Sequence, residues 1–292
     1  MDFTSLGVPA PLAAALAARG ITEPTEIQRE VIPAACAGEN LIGEAPTGTG
    51  KTLAYLLPAL MRIDPAVRAA QVLVLAPTHE LAMQIAGAAR DLIQAAGLSV
   101  GVQALIGGAN VQRQIDALKK KPALIVGSAP RIVELHRLRK LKLQEVRLCV
   151  LDEFDRLLDK QHSAEVRAVL HLLPRERQML LLSATAAAAA VHAAEELCAL
   201  RIIRAAVQET TCENYYHIVP FRDKIKAVQK LTRRLPIRRG LVFVGRSFDA
   251  EKAAEKLQYE GIRVAALLGG ERRDQRRAAL NAIRTGRVQL LI

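Results

Sequence analysis

Residues 40–52 read Asn-Leu-Ile-Gly-Glu-Ala-Pro-Thr-Gly-Thr-Gly-Lys-Thr. A short apolar run, Asn40–Gly43, passes into a loop of small residues and then into a helical pattern. Small residues let successive backbone N–H groups turn inward around phosphate oxygens. The positive end of the following helix adds to the same field. Lys51 is the cation placed to meet β- and γ-phosphates, and the Thr52 hydroxyl is a ligand for Mg²⁺. The stretch Ala45, Pro46, Thr47, Gly48, Thr49, Gly50, Lys51 and Thr52 therefore reads as a phosphate loop. It departs from the general pattern in carrying Ala45 where that pattern has Gly.

Such a loop needs a metal-holding acid on a neighbouring strand. Residues 148–155 read Leu-Cys-Val-Leu-Asp-Glu-Phe-Asp, an apolar strand ending in two carboxylates. Asp152 is expected to hold Mg²⁺, and Glu153 to orient or deprotonate the attacking water. Alone, Asp-Glu after a strand is usually a solvated helix start. Paired with a phosphate loop, it becomes half of a nucleotide site.

Further runs rich in Val, Ile and Leu frame these two: Gln71–Ala76, Ser99–Ile106, Ala123–Val126, Met179–Leu182 and Arg201–Ile203, with Asn40–Gly43 and Arg147–Leu151 already met. Continuous apolar runs suit strands covered on both faces. Their alternation with helical patterns predicts an α/β fold, a doubly wound parallel sheet with right-handed crossovers. Ligands bind such sheets beyond the carboxyl ends of the strands. That rule selects Glu44–Thr52, Pro77–Ala82, Gly127–Arg131, Asp152–Asp155 and Ser183–Thr185. An Ala-rich helix is expected from Ala186 to about Leu200. After Ala206 the alternation restarts, with Tyr215–Val219, Leu241–Val244, Val264–Leu267 and Val288–Ile292 as strands of a second sheet. The expected division is a first domain over 1–206, a linker over 207–213 and a partial second domain over 214–292.

Composition narrows the partners. Hydrophobic residues make up 51% of the 292, which supports real cores. Lys and Arg outnumber Asp and Glu by 41 to 29, so a polyanion is expected, either nucleic acid or an anionic membrane. No uninterrupted apolar run is long enough to span a bilayer. The first Lys or Arg is Arg19, unlike the basic start of a signal peptide. Nucleic acid is thus favoured over a membrane. Cys36, Cys149, Cys198 and Cys212 show no Cys-x-x-Cys spacing. A reducing, cytoplasmic setting is expected.

With these motifs in order, the chain resembles the DEAD-box RNA helicases of superfamily 2, with Phe154 varying the Asp-Glu-Ala-Asp signature. Ser183-Ala184-Thr185 matches that family's Ser-Ala-Thr motif, and residues 20–28, Gly-Ile-Thr-Glu-Pro-Thr-Glu-Ile-Gln, are similar to its adenine-reading Q motif. The resemblance runs from Phe3 to Ile292. It implies two RecA-like domains, ATP and Mg²⁺ as cofactors, and RNA held by its backbone. By position, Gln28 would bond the adenine edge with Phe3 nearby, while Ile21 stands where the family usually has an aromatic. Asp155, Ser183 and Thr185 would connect the ATP and RNA sites; capping of the Ala-rich helix is the alternative for Ser183 and Thr185. RNA contacts would come from Pro77, Thr78, His79 and Glu80, from Gly107 and Gly108, from Ser128 and Arg131, and in the second domain from Arg246 and Arg276.

His79 replaces the family's usual Arg and cannot give a bidentate phosphate contact. Arg113, Lys119, Lys120, Lys121, Arg137, Arg139, Lys140 and Lys142 lie between the RNA motifs and are expected to compensate. The family continues beyond Ile292 with two further motifs, an ATP-sensing loop and arginines facing the γ-phosphate. The chain as written is therefore expected to have a marginal second domain, and to bind ATP and RNA with little turnover. Family inference also points to ribosomal RNA or a ribosome precursor. A non-enzymatic RNA-binding remnant and a DNA-directed helicase remain the alternatives.

Overall fold

A computed structural model describes residues 2–205, 213–245, 247–268 and 273–292. The chain divides into two compact units, Met1–Glu209 and Thr210–Ile292.

In the first unit, helices α1 (Ala10–Ala17) and α2 (Glu26–Cys36) precede a regular alternation. It runs β1 (Leu41–Glu44), α3 (Lys51–Arg62), β2 (Val72–Leu75), α4 (His79–Ala95), β3 (Val102–Leu105), α5 (Val111–Leu118), β4 (Leu124–Gly127) and α6 (Ala129–Arg137). It continues with β5 (Leu148–Asp152), α7 (Phe154–Leu157), α8 (Ser163–Leu172), β6 (Gln178–Ser183), α9 (Ala188–Glu195) and β7 (Arg201–Arg204). The seven strands form one parallel sheet in the order β3-β4-β2-β5-β6-β1-β7. All seven apolar runs read from the sequence are strands of it. Residues of β2, β4, β5 and β6 are buried throughout, as expected for strands covered on both faces.

Alternate strand residues feed two cores. Leu41, Val74, Val126, Val150 and Leu182 join one cluster with α1–α4. Ile42, Leu73, Ile125, Leu151 and Leu181 join the other with α6–α9. That separation follows from the two-residue period of a strand. The Ala-rich helix is shorter than expected, ending at Glu195. Its Ala residues supply propensity, but mainly Ala194 of its length is buried, so little packing extends it.

The second unit holds α10 (Lys224–Arg234), β8 (Gly240–Leu241), α11 (Ser247–Tyr259), β9 (Val264–Ala265), α12 (Arg273–Arg284) and β10 (Leu290–Leu291). Its parallel sheet has the order β8-β10-β9, over a small core that includes Ala250, Leu257, Val264, Leu290 and Ile292. The strand expected at Tyr215–Val219 does not form. Tyr215, Tyr216 and Ile218 are all exposed, so the apolar run has no surface to pack on. The expected run Leu241–Val244 shrinks to its first residue for the same reason, with Phe243 exposed. Within the expected linker, residues 207–212 lie outside the described residues, as does Arg246.

Candidate functional site

Sheet order sorts the carboxyl-end loops into two neighbouring groups. The loops leaving β1, β6 and β5, which are adjacent, carry Ala45–Thr52, Ser183–Thr185 and Asp152–Asp155. Those leaving β2, β4 and β3, also adjacent, carry Pro77–Glu80, Ser128–Arg131 and Gly107–Gly108.

In the first group, the loop after β1 closes over its own lysine. Lys51 Nζ donates to the carbonyl oxygens of Ala45 and Pro46, and Thr49 Oγ1 donates to Pro46 O at 2.7 Å. Ala45 is fully buried and its N–H donates to Ser183 O, so the departure from Gly costs no space. Gly48 has φ +83 and a side chain there would meet open space; Gly50 has φ +85 and caps α3. Both conformations disfavour L side chains. Burial pushes the Lys51 ammonium below the usual lysine range, while Asp152, Glu153 and Asp155 pull it back.

Asp152 ends β5 almost fully buried. Its Oδ2 accepts from Tyr55 Oη at 2.8 Å and its Oδ1 from Glu153 N at 3.0 Å. Burial raises its carboxyl above the ordinary range, and those two hydrogen bonds oppose the rise. Tyr55 stands one turn beyond Thr52 on α3 and is fully buried. It thus ties α3, which carries Thr52, to Asp152, the acid expected at the metal. Sequence reasoning missed it, because a tyrosine among leucines reads as core.

Glu153 adopts φ +54, one of three non-glycine residues in the left-handed region among the described residues. That conformation costs about 1–2 kcal/mol and turns the chain sharply from β5 into α7. Its carboxylate accepts from Arg156 Nη1 at 3.0 Å. The Ser-Ala-Thr segment folds back onto the same turn. Thr185 Oγ1 donates to Asp155 Oδ2 at 2.7 Å, and Thr185 N donates to Ser183 Oγ at 3.2 Å. Neither Ser183 nor Thr185 caps α9, whose N-cap is Ala187. Glu44, given no role of its own from the sequence, accepts from Ala186 N at 2.9 Å and from Arg204 Nε at 2.9 Å.

Gln28 is buried, and its amide is committed inside the protein. Its Oε1 accepts from Thr25 N in a capping box, and its Nε2 donates to Gly50 O at 3.0 Å. One N–H and one lone pair of the amide are left for a base edge. Phe3 is buried, and with Ile21 and Thr22 it bounds a cavity of about 340 Å³.

In the second group, Thr78 caps α4, accepting from Leu81 N, and His79 opens the helix beside Glu80. The His79 ring lies against the backbone of Gly107, so close that a Cβ there would come 3.1 Å from Nε2. Gly108 follows with φ +66. Gln114 Nε2 donates to Ile106 O and holds this loop from beneath. Ser128 precedes α6, and Arg131 in its first turn is buried. Its Nε lies 3.1 Å from Glu134 Oε2, an ion pair without hydrogen-bond alignment, and its Nη1 has no partner. An arginine so placed has donors unspent. Arg276 lies on α12 of the second unit.

The basic residues expected to reinforce this group do not, apart from Arg113, lie beside it. Lys119–Lys121 and Arg139–Lys142 enter β4 and β5, at the opposite end of the parallel strands.

A profile of the DEAD/DEAH box helicase family matches residues 25–193. The chain is 39% identical over 277 residues to the DEAD-box ATP-dependent RNA helicase CshC of Bacillus cereus, covering 94% of this chain and 70% of that protein. It is 37% identical over 279 residues to the probable ATP-dependent RNA helicase YfmL of Bacillus subtilis, covering 94% and 73%. Among solved structures, Saccharomyces cerevisiae Dbp5 bound to RNA and ADP BeF3 aligns with a TM-score of 0.84 at 26% identity, over 100% of this chain and 75% of that one. Fold, motif order and sequence identity over nearly the whole length agree: this chain belongs to the DEAD/DEAH box helicase family.

Proposed function

We propose that the chain is an ATP-dependent RNA helicase, in which ATP hydrolysis is coupled to local opening of RNA duplexes or remodelling of RNA–protein complexes. The observation that supports this reading is the side-by-side placement of three loops, those leaving β1, β5 and β6. The left-handed glycines, the open space at Gly48 and the adjoining lysine fit a triphosphate. The Thr52 hydroxyl and the Asp152 carboxylate, the latter held by Tyr55, fit Mg²⁺ as its ligands. The ion would supply charge neutralisation at the phosphates. Lys51 then exchanges its two carbonyl partners for phosphate oxygens. Glu153 orients the attacking water, its side chain partly exposed beside Asp152. Gln28 reads the adenine edge with its remaining donor and acceptor. Asp155, Ser183 and Thr185 relay the state of this site toward the RNA.

RNA lies along the second group of loops, touched by Pro77, Thr78, His79, Glu80, Gly107, Gly108, Ser128 and Arg131, with Arg246 and Arg276 contributing from the second unit. These contacts carry no base sequence. Ribosomal RNA and ribosome precursors fall within such a range. The test is ATP hydrolysis and nucleotide binding in the presence of RNA or DNA homopolymers. RNA should stimulate and DNA should not; equal stimulation refutes the RNA assignment. Lys51→Ala should lose nucleotide binding, whereas Glu153→Gln should keep it and hydrolyse slowly. Near-unchanged affinity in Lys51→Ala refutes the phosphate-site assignment.

A further inference from the structure

The amino-terminal edge of the seven-stranded sheet, opposite the loops described above, is strongly basic along part of its length. The loops entering β4, β2, β5 and β6 comprise residues 119–123, 63–71, 138–147 and 173–177. They hold ten Lys and Arg against three Asp and Glu. Those four strands are consecutive in the sheet, so at about 4.8 Å per strand the loops enter over roughly 14 Å. That length is the rise of about four phosphates on one strand of a duplex. The loops entering β3, β1 and β7 at the same edge contain no Lys or Arg. Arg68, Lys120, Lys121, Arg139, Lys140 and Lys142 are exposed. Among the described residues of these loops only Lys119 has a carboxylate in ion-pair reach, Asp116 at 2.8 Å.

A second observation comes from the backbone. Helices that end in a left-handed residue do so at glycine after α1, α2, α4, α11 and α12: Gly20, Gly38, Gly97, Gly261 and Gly286. After α5 and α6 the left-handed residues are Lys121 (φ +54) and Arg139 (φ +56). Glycine avoids the Cβ penalty of that conformation. The chain thus carries cations at two strained positions, both at this edge, where it uses glycine elsewhere.

We propose that this edge is a second RNA-binding surface, which takes the phosphodiester backbone of a duplex or structured flank while the single strand lies on the carboxyl-end loops. The inference rests on the RNA reading above for its choice of polyanion. Interfacial binding to lipid also calls for apolar anchors, and Leu138 is the one exposed large hydrophobic in these loops.

The test uses the full chain and two probes, a short single-stranded RNA and the same strand carrying a long duplex flank, each titrated across salt concentrations. In Lys121→Gly/Arg139→Gly, the slope of log affinity against log salt for the flanked RNA should become shallower by about two, at roughly 0.9 per lost phosphate contact. Binding of the short strand should be unchanged, and Tm unchanged or raised, because glycine relieves the strain. Lys120→Gln/Lys140→Gln, at positions with ordinary φ, should give the same loss whatever the glycine variant does to Tm. An unaltered slope for the flanked RNA in both variants overturns the proposal. So does an equal loss on the short strand, or a loss seen with phosphatidylserine vesicles and not with RNA. A wild type that binds the flanked RNA through this edge but ignores the short strand sinks the helicase path and leaves this surface standing. One that binds both probes equally sinks this surface alone.

Discussion

Tyr55→Phe isolates one atom of the nucleotide site. The substitution keeps the ring in the core and removes the hydroxyl that donates to Asp152 Oδ2 at 2.8 Å. A buried hydrogen bond to a charged group contributes about 1.5–3 kcal/mol. At about 2–4 °C per kcal/mol for a unit of this size, the ligand-free Tm should fall by about 3–12 °C. Function should change in a separate way. Groups that orient a metal ligand typically alter metal affinity or activity by about 10–100-fold, so Mg²⁺-dependent nucleotide binding should weaken by that factor while metal-free binding changes little. The pH dependence has a definite sign. Burial raises the folded-state carboxyl of Asp152 above its unfolded value, and the Tyr55 bond opposes that rise. A raised carboxyl favours the folded state below the unfolded value, and this contribution is lost as pH rises through the folded one. Removing the hydroxyl raises the folded value further, so the deficit of Tyr55→Phe should be largest at neutral pH and shrink as the solution is acidified. Thermal melting across pH and a Mg²⁺ titration of nucleotide binding read these quantities. Equal Tm at neutral pH and equal Mg²⁺ dependence in variant and wild type would refute the assignment of Tyr55 to Asp152.

Asp152→Asn should leave the ligand-free Tm little changed, because it removes a buried charge but its single carbonyl oxygen serves only one of the two donors, Tyr55 Oη and Glu153 N, and hydrolysis should vanish. Gly50→Ala should lower Tm and the preference for ATP over GTP together, since its Cβ would come 2.3 Å from Gln28 Nε2 at a φ of +85; melting and nucleotide competition measure both. His79→Arg should tighten binding of short single-stranded RNA at low salt, by restoring a fork of donors beside Gly107; unchanged affinity removes that loop from the RNA path.

The sheet was legible because burial on both faces leaves no room for polar residues in β2, β4, β5 and β6. The turn between β1 and α3 was legible because its backbone conformations demand Gly48 and Gly50. Tyr55 and Glu44 were not, since their roles lie in partners far along the chain: Asp152 is 97 residues from Tyr55, and Ala186 is 142 from Glu44. Side-chain identity carries no mark of such pairings. The basic cluster misled for a topological reason. In a parallel sheet successive connections alternate ends, so Lys119–Lys121 lie near Gly107 and Ser128 in sequence yet a full strand length away in space.

The same topology fixes where the two groups of loops meet. In the order β3-β4-β2-β5-β6-β1-β7, the border between them runs between β2 and β5. Strand β5 ends in Asp152 and continues through Glu153 to Asp155, and β2 leads into Thr78 and His79. Asp155 therefore stands on the nucleotide-side strand nearest the other group, and it is the residue that Thr185 grips from β6. A hydrogen-bonded chain runs from Ala45 N–H to Ser183 O, from Thr185 N–H to Ser183 Oγ and from Thr185 Oγ1 to Asp155, crossing from β1 to β6 at its first link and from β6 to β5 at its last. The Thr185 hydroxyl makes that last link, because adjacent parallel strands are about 4.8 Å apart and one hydroxyl hydrogen bond spans the gap between their loops.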